Sequence, residues 1–289
     1  MKLLNYYVNE QTKLGIKTNQ GIIDVEQAAE QHNINLPTTM DQVIHEGPDA
    51  VAALRKIENL GHSFLNEKEI TYAPSVTNPE KVICVGLNYE KHAKETNQAI
   101  PETPILFSKF NNALAAHRET IQIPEADHRI DYEAELVIVI GKKAFNVPPE
   151  EALSYAFGYT VGNDVSARKL QSISGQWLLG KTLDQFAPIG PYLVTADADA
   201  IDPQNLGISC NINGETRQSS NTNDMIFNCA EIISYASKHM TLKPGDVIFT
   251  GTPEGVIVGQ PRGERVWLKS GDEMRISIEG IGDLVNVLA

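Results

Sequence analysis

The chain has 289 residues, of which 42% are hydrophobic and 21% are charged, a composition typical of a folded globular protein rather than a disordered or fibrous one. Its 24 Lys and Arg residues stand against 37 Asp and Glu residues, giving a formal net charge of −13. This acidic balance argues against nucleic acid and against anionic membrane surfaces as partners.

The cellular location is predicted from the cysteines and the N-terminus. The chain has three widely spaced cysteines, Cys84, Cys210 and Cys229, and no CxxC pair, so we expect reduced thiols rather than a disulfide framework or a zinc site. The first residues lack the apolar core of a signal peptide, and no apolar run approaches the roughly 20 residues of a membrane span. These features predict a cytoplasmic protein without a membrane partner.

Residues 1–72 are predicted to form a small α/β domain. Short β-like segments at Leu3–Val8 and Gly15–Thr18 precede helical patterns at Val25–Gln31 and Met40–Ile57. The following segment, 72–79, contains two prolines and small polar residues and is interpreted as a linker. Residues 73–289 would then form the second domain.

The second domain is predicted to be rich in β-strands. Apolar segments separated by turn signals indicate strands at 81–85, 135–140, 157–161, 192–195, 206–212, 247–250, 266–268, 274–278 and 284–288. Helices are predicted from Pro148 and over Asp224–His239. Because strands and helices do not alternate regularly, a doubly wound sheet is disfavoured and the α+β class is favoured.

Residues 175–182 match the phosphate-binding expression GxxxxGK[ST]. A phosphate-binding loop needs a buried strand immediately before it, whereas residues 167–174 are polar. Trp177 and two leucines inside the motif are also unusual for a phosphate cradle. We therefore expect no nucleotide site there.

Three carboxylates form the most informative pattern. Glu133 and Glu135 are two apart at the start of an apolar strand, so both would project from one face, and Asp164 follows a second strand. Repulsion and desolvation make such a cluster costly unless a cation relieves it. Three oxygen ligands would suit a hard divalent cation, with Lys181 or Arg168 balancing the excess negative charge. The alternatives are a solvated strand end and, for Asp164, a helix N-cap.

His92 and Glu95 would be neighbours if residues 86–95 contain a helix. Glu95 would then orient the imidazole and raise its basicity, giving a general base that works near neutral pH. An exposed surface pair is the alternative interpretation.

Taken together, these motifs resemble the fumarylacetoacetate hydrolase family, including its acylpyruvase-like and 2-hydroxyhepta-2,4-diene-1,7-dioate isomerase-like members. The matching stretches appear in family order over roughly residues 80 to 285 and are more specific than any single short motif. They are Val85–Tyr89 with His92 and Glu95, Asp131–Glu135, Asn163–Arg168 with Gln171, Gly180–Asp184 and Gly251–Val256.

The resemblance implies a β-sandwich roll catalytic domain behind a smaller N-terminal domain, assembled as a homodimer or a larger oligomer. It implies Glu133, Glu135 and Asp164 as ligands of Mg²⁺ or Mn²⁺, with Ca²⁺ as a further option. It implies His92, Glu95 and Lys181 as catalytic residues. Arg168, Gln171, Thr252 and Tyr89 match positions that contact the substrate.

The expected substrate is a small 2-oxo di- or tricarboxylic acid, converted through an enolate that the metal stabilises. C–C bond hydrolysis of an acylpyruvate, or isomerisation of a dienedioate, is the main expectation. Decarboxylation or keto–enol tautomerisation of oxaloacetate is the alternative. A catalytically weak regulatory or binding protein is the alternative from another class.

Overall fold

The computed structural model describes residues 1–61, 63–198 and 201–289. Its strands are β1 Lys2–Val8, β2 Gln11–Lys17, β3 Ile22–Asp24, β4 Thr71–Ala73, β5 Val82–Gly86, β6 Ile105–Lys109, β7 Leu114–Ala115, β8 Thr120–Ile121, β9 Ile130–Asp131, β10 Ala134–Ile140, β11 Ala156–Asn163, β12 Ser166–Ala167, β13 Ala187–Thr195, β14 Gly207–Ile212, β15 Glu215–Asn221, β16 Val247–Phe249, β17 Glu273–Ile278 and β18 Gly282–Leu288. Its α-helices are α1 Val25–Gln31, α2 Met40–Glu46, α3 Pro48–Glu58, α4 Glu90–Glu95, α5 Pro149–Ala152, α6 Arg168–Gln171, α7 Leu178–Lys181 and α8 Cys229–His239. Single 3-10 turns lie at Asn111–Ala113, Leu153–Tyr155, Thr222–Asp224 and Ile257–Gly259.

The strands form a large sheet and a smaller one. The large sheet has the order β3-β2-β1-β13-β11-β10-β16-β5-β6, with β4 beside β1 and β7 beside β13. The smaller sheet has the order β15-β14-β17-β18-β8, and β9 pairs separately with β12. Most neighbouring strands are antiparallel, and β5 with β16 is a parallel pair. The predicted α+β class is confirmed, and the sheets follow no doubly wound order.

Strand β10 is buried on both of its faces, which explains its unbroken apolar sequence. Leu136, Ile138 and Ile140 share one core cluster with strands β14 and β17 of the smaller sheet. Val137 and Val139 point the other way and share a second core cluster with helices α2 and α3. The strand thus runs through the middle of the molecule, and the site lies at its N-terminal end.

The N-terminal segment is joined to the rest of the chain by sheet pairing. Strand β1 pairs with β13, so residues 1–72 contribute strands to the same sheet as the C-terminal segment. The predicted linker at 72–79 is corrected: Tyr72 lies in β4, and Ser75 and Val76 are completely buried. The boundary between residues 72 and 73 stays a prediction.

Two other expectations about elements are also corrected. The single helix expected over Met40–Ile57 is two helices, because Gly47 adopts a positive φ of 64° and Pro48 begins a new helix. The expected strand at 266–268 is only an isolated bridge between Leu268 and Ile130.

The three cysteines are free and buried, as predicted. Burial raises the pKa of Cys84 and of Cys210 well above the ordinary thiol value, and raises that of Cys229 to about 12.

Candidate active site

Three buried carboxylates meet where β10 and β11 adjoin. Glu133, Glu135 and Asp164 each offer an oxygen within 4.8 Å of the others, and their residues are 5%, 2% and 0% exposed. Glu135 lies in β10 opposite Gly162 of β11, while Glu133 immediately precedes β10 and Asp164 immediately follows β11. Sequence reasoning therefore predicted the cluster correctly, although Glu133 lies outside the strand.

Hydrogen bonds donated by their backbone N–H groups fix the main chain of Glu133 and Asp164. The Glu133 N–H donates to Asn163 Oδ1 at 2.9 Å, and the Asp164 N–H donates to the Glu133 carbonyl at 3.0 Å. Asp164 is not a helix N-cap, because α6 begins after Ala167. Neither carboxylate is a solvated strand end, so both alternatives weighed from the sequence are wrong.

Two basic side chains partly neutralise the cluster. Lys181 Nζ donates to Glu133 Oε2 at 2.6 Å and to Asp164 Oδ2 at 2.8 Å, and an Arg168 terminal nitrogen lies 2.7 Å from Glu133 Oε1. Burial opposes ionisation of Glu133, but Lys181 and Arg168 outweigh it and hold the pKa of Glu133 below its ordinary value. Burial also opposes the charge on Lys181, yet Asp164 and Glu133 raise its pKa. These groups therefore stay charged.

Lys109 is a third basic group at the cluster, and sequence reasoning assigned it no role. Its fully buried Nζ lies 2.5 Å from Asp164 Oδ1, without the geometry of a hydrogen bond, and donates to the Val165 carbonyl at 3.1 Å. Burial lowers the pKa of Lys109, and the charge of Asp164 opposes that shift. A lysine at the end of the short, partly apolar segment Ile105–Lys109 was a sequence signal for it.

Glu135 has no basic partner among the described residues. Its Oε2 accepts a hydrogen bond from the Gly251 N–H at 2.7 Å. Burial and the neighbouring charges of Asp164 and Glu133 raise its pKa well above the ordinary value. Clustered, buried carboxylates of which one lacks a countercharge fit a hard divalent cation, because such ions are bound by carboxylate oxygens.

The predicted His–Glu dyad is formed on α4. His92 Nδ1 lies 2.8 Å from Glu95 Oε1, and Glu95 Oε2 accepts from the Gly255 N–H at 2.9 Å. His92 is 6% exposed, so the pair is not the exposed surface contact weighed as the alternative. With Nδ1 held by Glu95, Nε2 is the ring nitrogen available to a ligand.

A cavity of about 310 Å³ brings most of the predicted residues together. Its walls include His92, Glu133, Glu135, Arg168, Gln171, Lys181, Thr252, Phe107, Trp177 and Arg265. Asp164 and Glu95 lie behind this wall and hold Lys181 and His92 from the back. The prediction for Tyr89 is corrected: its side chain is 1% exposed, belongs to the central core and does not line the cavity.

Asp131 is a buried carboxylate that sequence reasoning quoted but did not assign. Its Oδ2 accepts from Arg168 Nε at 2.9 Å, and its two oxygens accept from the Ile257 and Val258 N–H groups, each at 2.9 Å. Asp131 therefore ties the Arg168 guanidinium to the 3-10 turn at Ile257–Gly259. The same turn follows the loop whose Gly255 holds Glu95.

Residues 175–182 do not form a phosphate-binding loop. The segment contains helix α7 and follows helix α6 rather than a buried strand, as expected from the polar residues that precede it. Lys181 instead points into the carboxylate cluster.

Comparison with known families supports the motif series. Residues 81–289 match the model described as the fumarylacetoacetate (FAA) hydrolase C-terminal domain. The chain belongs to the fumarylacetoacetate hydrolase family. Among curated family relatives, the mitochondrial oxaloacetate tautomerase Fahd2a of Rattus norvegicus is 44% identical over 87% of this chain and 80% of its own length. The mitochondrial oxaloacetate tautomerase fahd2 of Xenopus laevis is 42% identical over 95% of this chain and 85% of its own.

Solved structures of the fumarylacetoacetate hydrolase family share the fold over the whole chain. A fumarylacetoacetate hydrolase from Exiguobacterium antarcticum is 33% identical with a TM-score of 0.82, covering 100% of this chain and 99% of that one. A 2-hydroxyhepta-2,4-diene-1,7-dioate isomerase from Mycobacterium marinum is 28% identical with a TM-score of 0.75, covering 100% and 98%. Among the described residues, no helix is long and apolar enough to cross a membrane.

Proposed function

We propose that this enzyme is an oxaloacetate tautomerase that interconverts the keto and enol forms of oxaloacetate with a bound divalent cation. The observation that carries the proposal is that one cavity is lined by His92 of the His–Glu dyad and by Glu133 and Glu135 of the buried carboxylate cluster. The curated relatives named as oxaloacetate tautomerases, at 44% and 42% identity, support this alternative better than the main expectation, which was C–C hydrolysis of an acylpyruvate or isomerisation of a dienedioate.

Glu133, Glu135 and Asp164 would hold the cation, for which Mg²⁺ and Mn²⁺ are the leading candidates and Ca²⁺ is a further one. When bound, such an ion supplies Lewis-acid polarisation of a 2-oxo group and so favours loss of a proton from the adjacent carbon.

His92 would carry the proton. In the keto-to-enol direction Nε2 accepts a proton from C3, the C2–C3 double bond forms, and the proton is returned to the oxygen on C2. No atom is gained or lost. Glu95, bound to Nδ1 and anchored by the Gly255 N–H, holds the ring in one orientation and stabilises its positive charge.

The other cavity residues would bind the 2-oxo acid and balance charge. Lys181 opposes the negative charge that develops on the substrate, because its pKa is raised and its ammonium is retained. Arg168, Gln171 and Thr252 line the same cavity and would position the C1 carboxylate.

The function is tested by following the ultraviolet absorbance of enolic oxaloacetate with purified protein and Mg²⁺, Mn²⁺ or EDTA. We expect decay accelerated only with metal, and a rate about 100-fold lower in His92→Asn, since general base catalysis is typically worth at least that factor. Metal affinity should be unchanged in this variant. His128→Asn, at an exposed position, is the matched control.

A substrate panel separates the remaining activities. Acetylpyruvate reports C–C hydrolysis, pyruvate formation from oxaloacetate reports decarboxylation, and a homoprotocatechuate-pathway dienedioate reports isomerisation. Turnover of one of these in preference to tautomerisation would replace the proposal. No turnover of any, with metal bound, would favour a binding or regulatory protein.

We also propose that the enzyme is a homodimer in the cytoplasm. Light scattering coupled to size exclusion tests the first part, and a mass equal to the monomer would contradict it. The relatives named as mitochondrial make organelle fractionation the test of the second part.

A further inference from the structure

The cavity wall contains a cation that the proposed proton transfer does not use. Arg265 lies between β16 and β17 and lines the same cavity as Glu133, Glu135 and Lys181. It is half-buried, whereas its neighbours Arg262 and Glu264 are exposed. Sequence reasoning attached no motif to it.

The other cations of the cavity are already paired. Lys181 contacts Glu133 and Asp164, and Arg168 contacts Asp131 and Glu133. Within residues 1–61, 63–198 and 201–289, Arg265 forms no ion pair. Its positive charge is therefore available to an anionic ligand.

The guanidinium of Arg265 is oriented by one hydrogen bond. Nε donates to the Gln260 carbonyl at 2.8 Å, which leaves the two terminal nitrogens as a fork. Two parallel N–H donors match the two oxygens of a carboxylate, a geometry that a lysine cannot provide. Gln260 directly follows the 3-10 turn that Asp131 holds, so the fork is fixed relative to Arg168.

We propose that Arg265 is a specificity-determining residue that binds the carboxylate distant from the 2-oxo group and so selects four-carbon dicarboxylates over monocarboxylates. This inference rests on the proposed function for the identity of the substrate. The cation held by Glu133, Glu135 and Asp164 would take the 2-oxo acid end, and Arg265, on the wall of the same cavity, would take the C4 carboxylate.

A matched pair of unreactive ligands tests the assignment by calorimetry with Mg²⁺ present. Malate carries the distant carboxylate, and 2-hydroxybutanoate has the same chain length without it. We expect Arg265→Gln to weaken malate binding about tenfold or more, which corresponds to a charged hydrogen bond of about 1.5 kcal/mol. Binding of 2-hydroxybutanoate should change less than about twofold.

Kinetics and two further variants complete the experiment. Arg265→Gln should raise KM for oxaloacetate and leave kcat within a few-fold, while Arg265→Lys should lie between it and the wild type because charge is kept and the fork is lost. Arg262→Gln, which removes the same charge from the exposed part of the loop, should bind both ligands as the wild type does.

Failure of this inference is distinguishable from failure of the proposed function. An equal effect of Arg265→Gln on both ligands, or a wild type that does not prefer malate, overturns the role of Arg265 even if oxaloacetate is tautomerised. A wild type that prefers malate through Arg265 but does not tautomerise oxaloacetate keeps the dicarboxylate site and overturns the reaction.

Discussion

Glu135 differs from the other two carboxylates of the cluster in having no cationic partner in the part of the chain that the structure describes. Glu133 and Asp164 are held by lysine or arginine, whereas Glu135 accepts a hydrogen bond from a backbone N–H. A residue placed in this way destabilises the fold while it is charged and gains most from a bound cation. A substitution at Glu135 is therefore expected to remove metal binding without lowering the stability of the metal-free protein.

Glu135→Gln should abolish metal-dependent stabilisation without harming the fold. At 100 times its Kd, a cation is expected to stabilise the wild type by about 3 kcal/mol. The variant should show little of that gain with Mn²⁺ and should equal or exceed the wild type in EDTA, because a neutral side chain replaces an unpaired buried acid. Urea unfolding with and without Mn²⁺ measures both.

Glu125→Gln is the control for this prediction, since it removes an acid at an exposed position away from the cluster. It should keep the full response to Mn²⁺. An undiminished response in Glu135→Gln would remove Glu135 from the ligand set.

The residues predicted from the sequence were those whose type and spacing already imply chemistry. Glu133 and Glu135 are two residues apart and His92 and Glu95 three apart, so local periodicity predicts each pair. Asp164 follows a second strand and reaches the cluster because β11 pairs with β10. Their supporting partners could not be predicted in this way. Lys109 and Arg265 reach the site through long-range packing, and Asp131, although close to Glu133 in sequence, contacts the distant residues Arg168, Ile257 and Val258.

At the scale of elements, the segment from Gly255 to Gln260 organises three parts of the site. The Gly255 N–H holds Glu95, the Ile257 and Val258 N–H groups hold Asp131, and the Gln260 carbonyl orients Arg265. One short segment thus helps to position three groups: the proposed base His92 through Glu95, the buried Arg168 through Asp131, and the proposed carboxylate-binding Arg265.

Gly259 lies against the Glu95 side chain of the dyad. A Cβ added there would lie 2.5 Å from Glu95 Cδ and 2.6 Å from its Oε2. Gly259→Ala should push the carboxylate away from His92 and lower kcat about tenfold or more, since an oriented base is worth at least that factor. Because the end of a flexible side chain moves, the melting temperature should fall little.

Steady-state kinetics and thermal unfolding of Gly259→Ala check the element prediction. Gly263→Ala is the matched control, because a Cβ there meets nothing within 4 Å. Equal kcat values for the two variants would show that the position of Glu95 does not depend on Gly259.

The sequence predicted elements well where burial shaped the pattern and poorly elsewhere. The apolar run of β10 was identified because both faces of that strand are buried. The helical spacing of α8 was identified because one stripe of that helix is buried. Strand β15, mostly exposed and polar, was missed since it has no apolar alternation. The helix break at Gly47–Pro48 could have been predicted from the Gly-Pro pair.

For the whole molecule, acid sensitivity is expected where His117 supports the smaller sheet. Its Nδ1 accepts a hydrogen bond from the Val285 N–H of β18 at 3.0 Å, which requires an unprotonated nitrogen. Burial, with Arg118 nearby, lowers the pKa of His117 from 6.5 to about 4. The unfolded chain therefore binds the proton more readily than the folded protein does.

Lowering the pH should destabilise the protein through this residue. The contribution is fully present above pH 6.5, the unfolded value, and is lost as the pH falls toward about 4. A pKa lowered from 6.5 to about 4 limits this loss of unfolding free energy to roughly 3 kcal/mol. Urea unfolding at pH 7 and pH 5 should show a smaller loss of unfolding free energy in His117→Asn than in the wild type. An equal loss in the two proteins would contradict the assignment.

The burial of all three thiols makes the chain a ready background for site-specific labelling. Cys84, Cys210 and Cys229 are each 0% exposed, and their raised pKa values disfavour the reactive thiolate. A cysteine introduced at exposed Leu179, two residues before Lys181, would then be the preferred target of a maleimide dye without removal of any native cysteine. A fluorophore at that position would report ligand entry by its emission, independently of turnover.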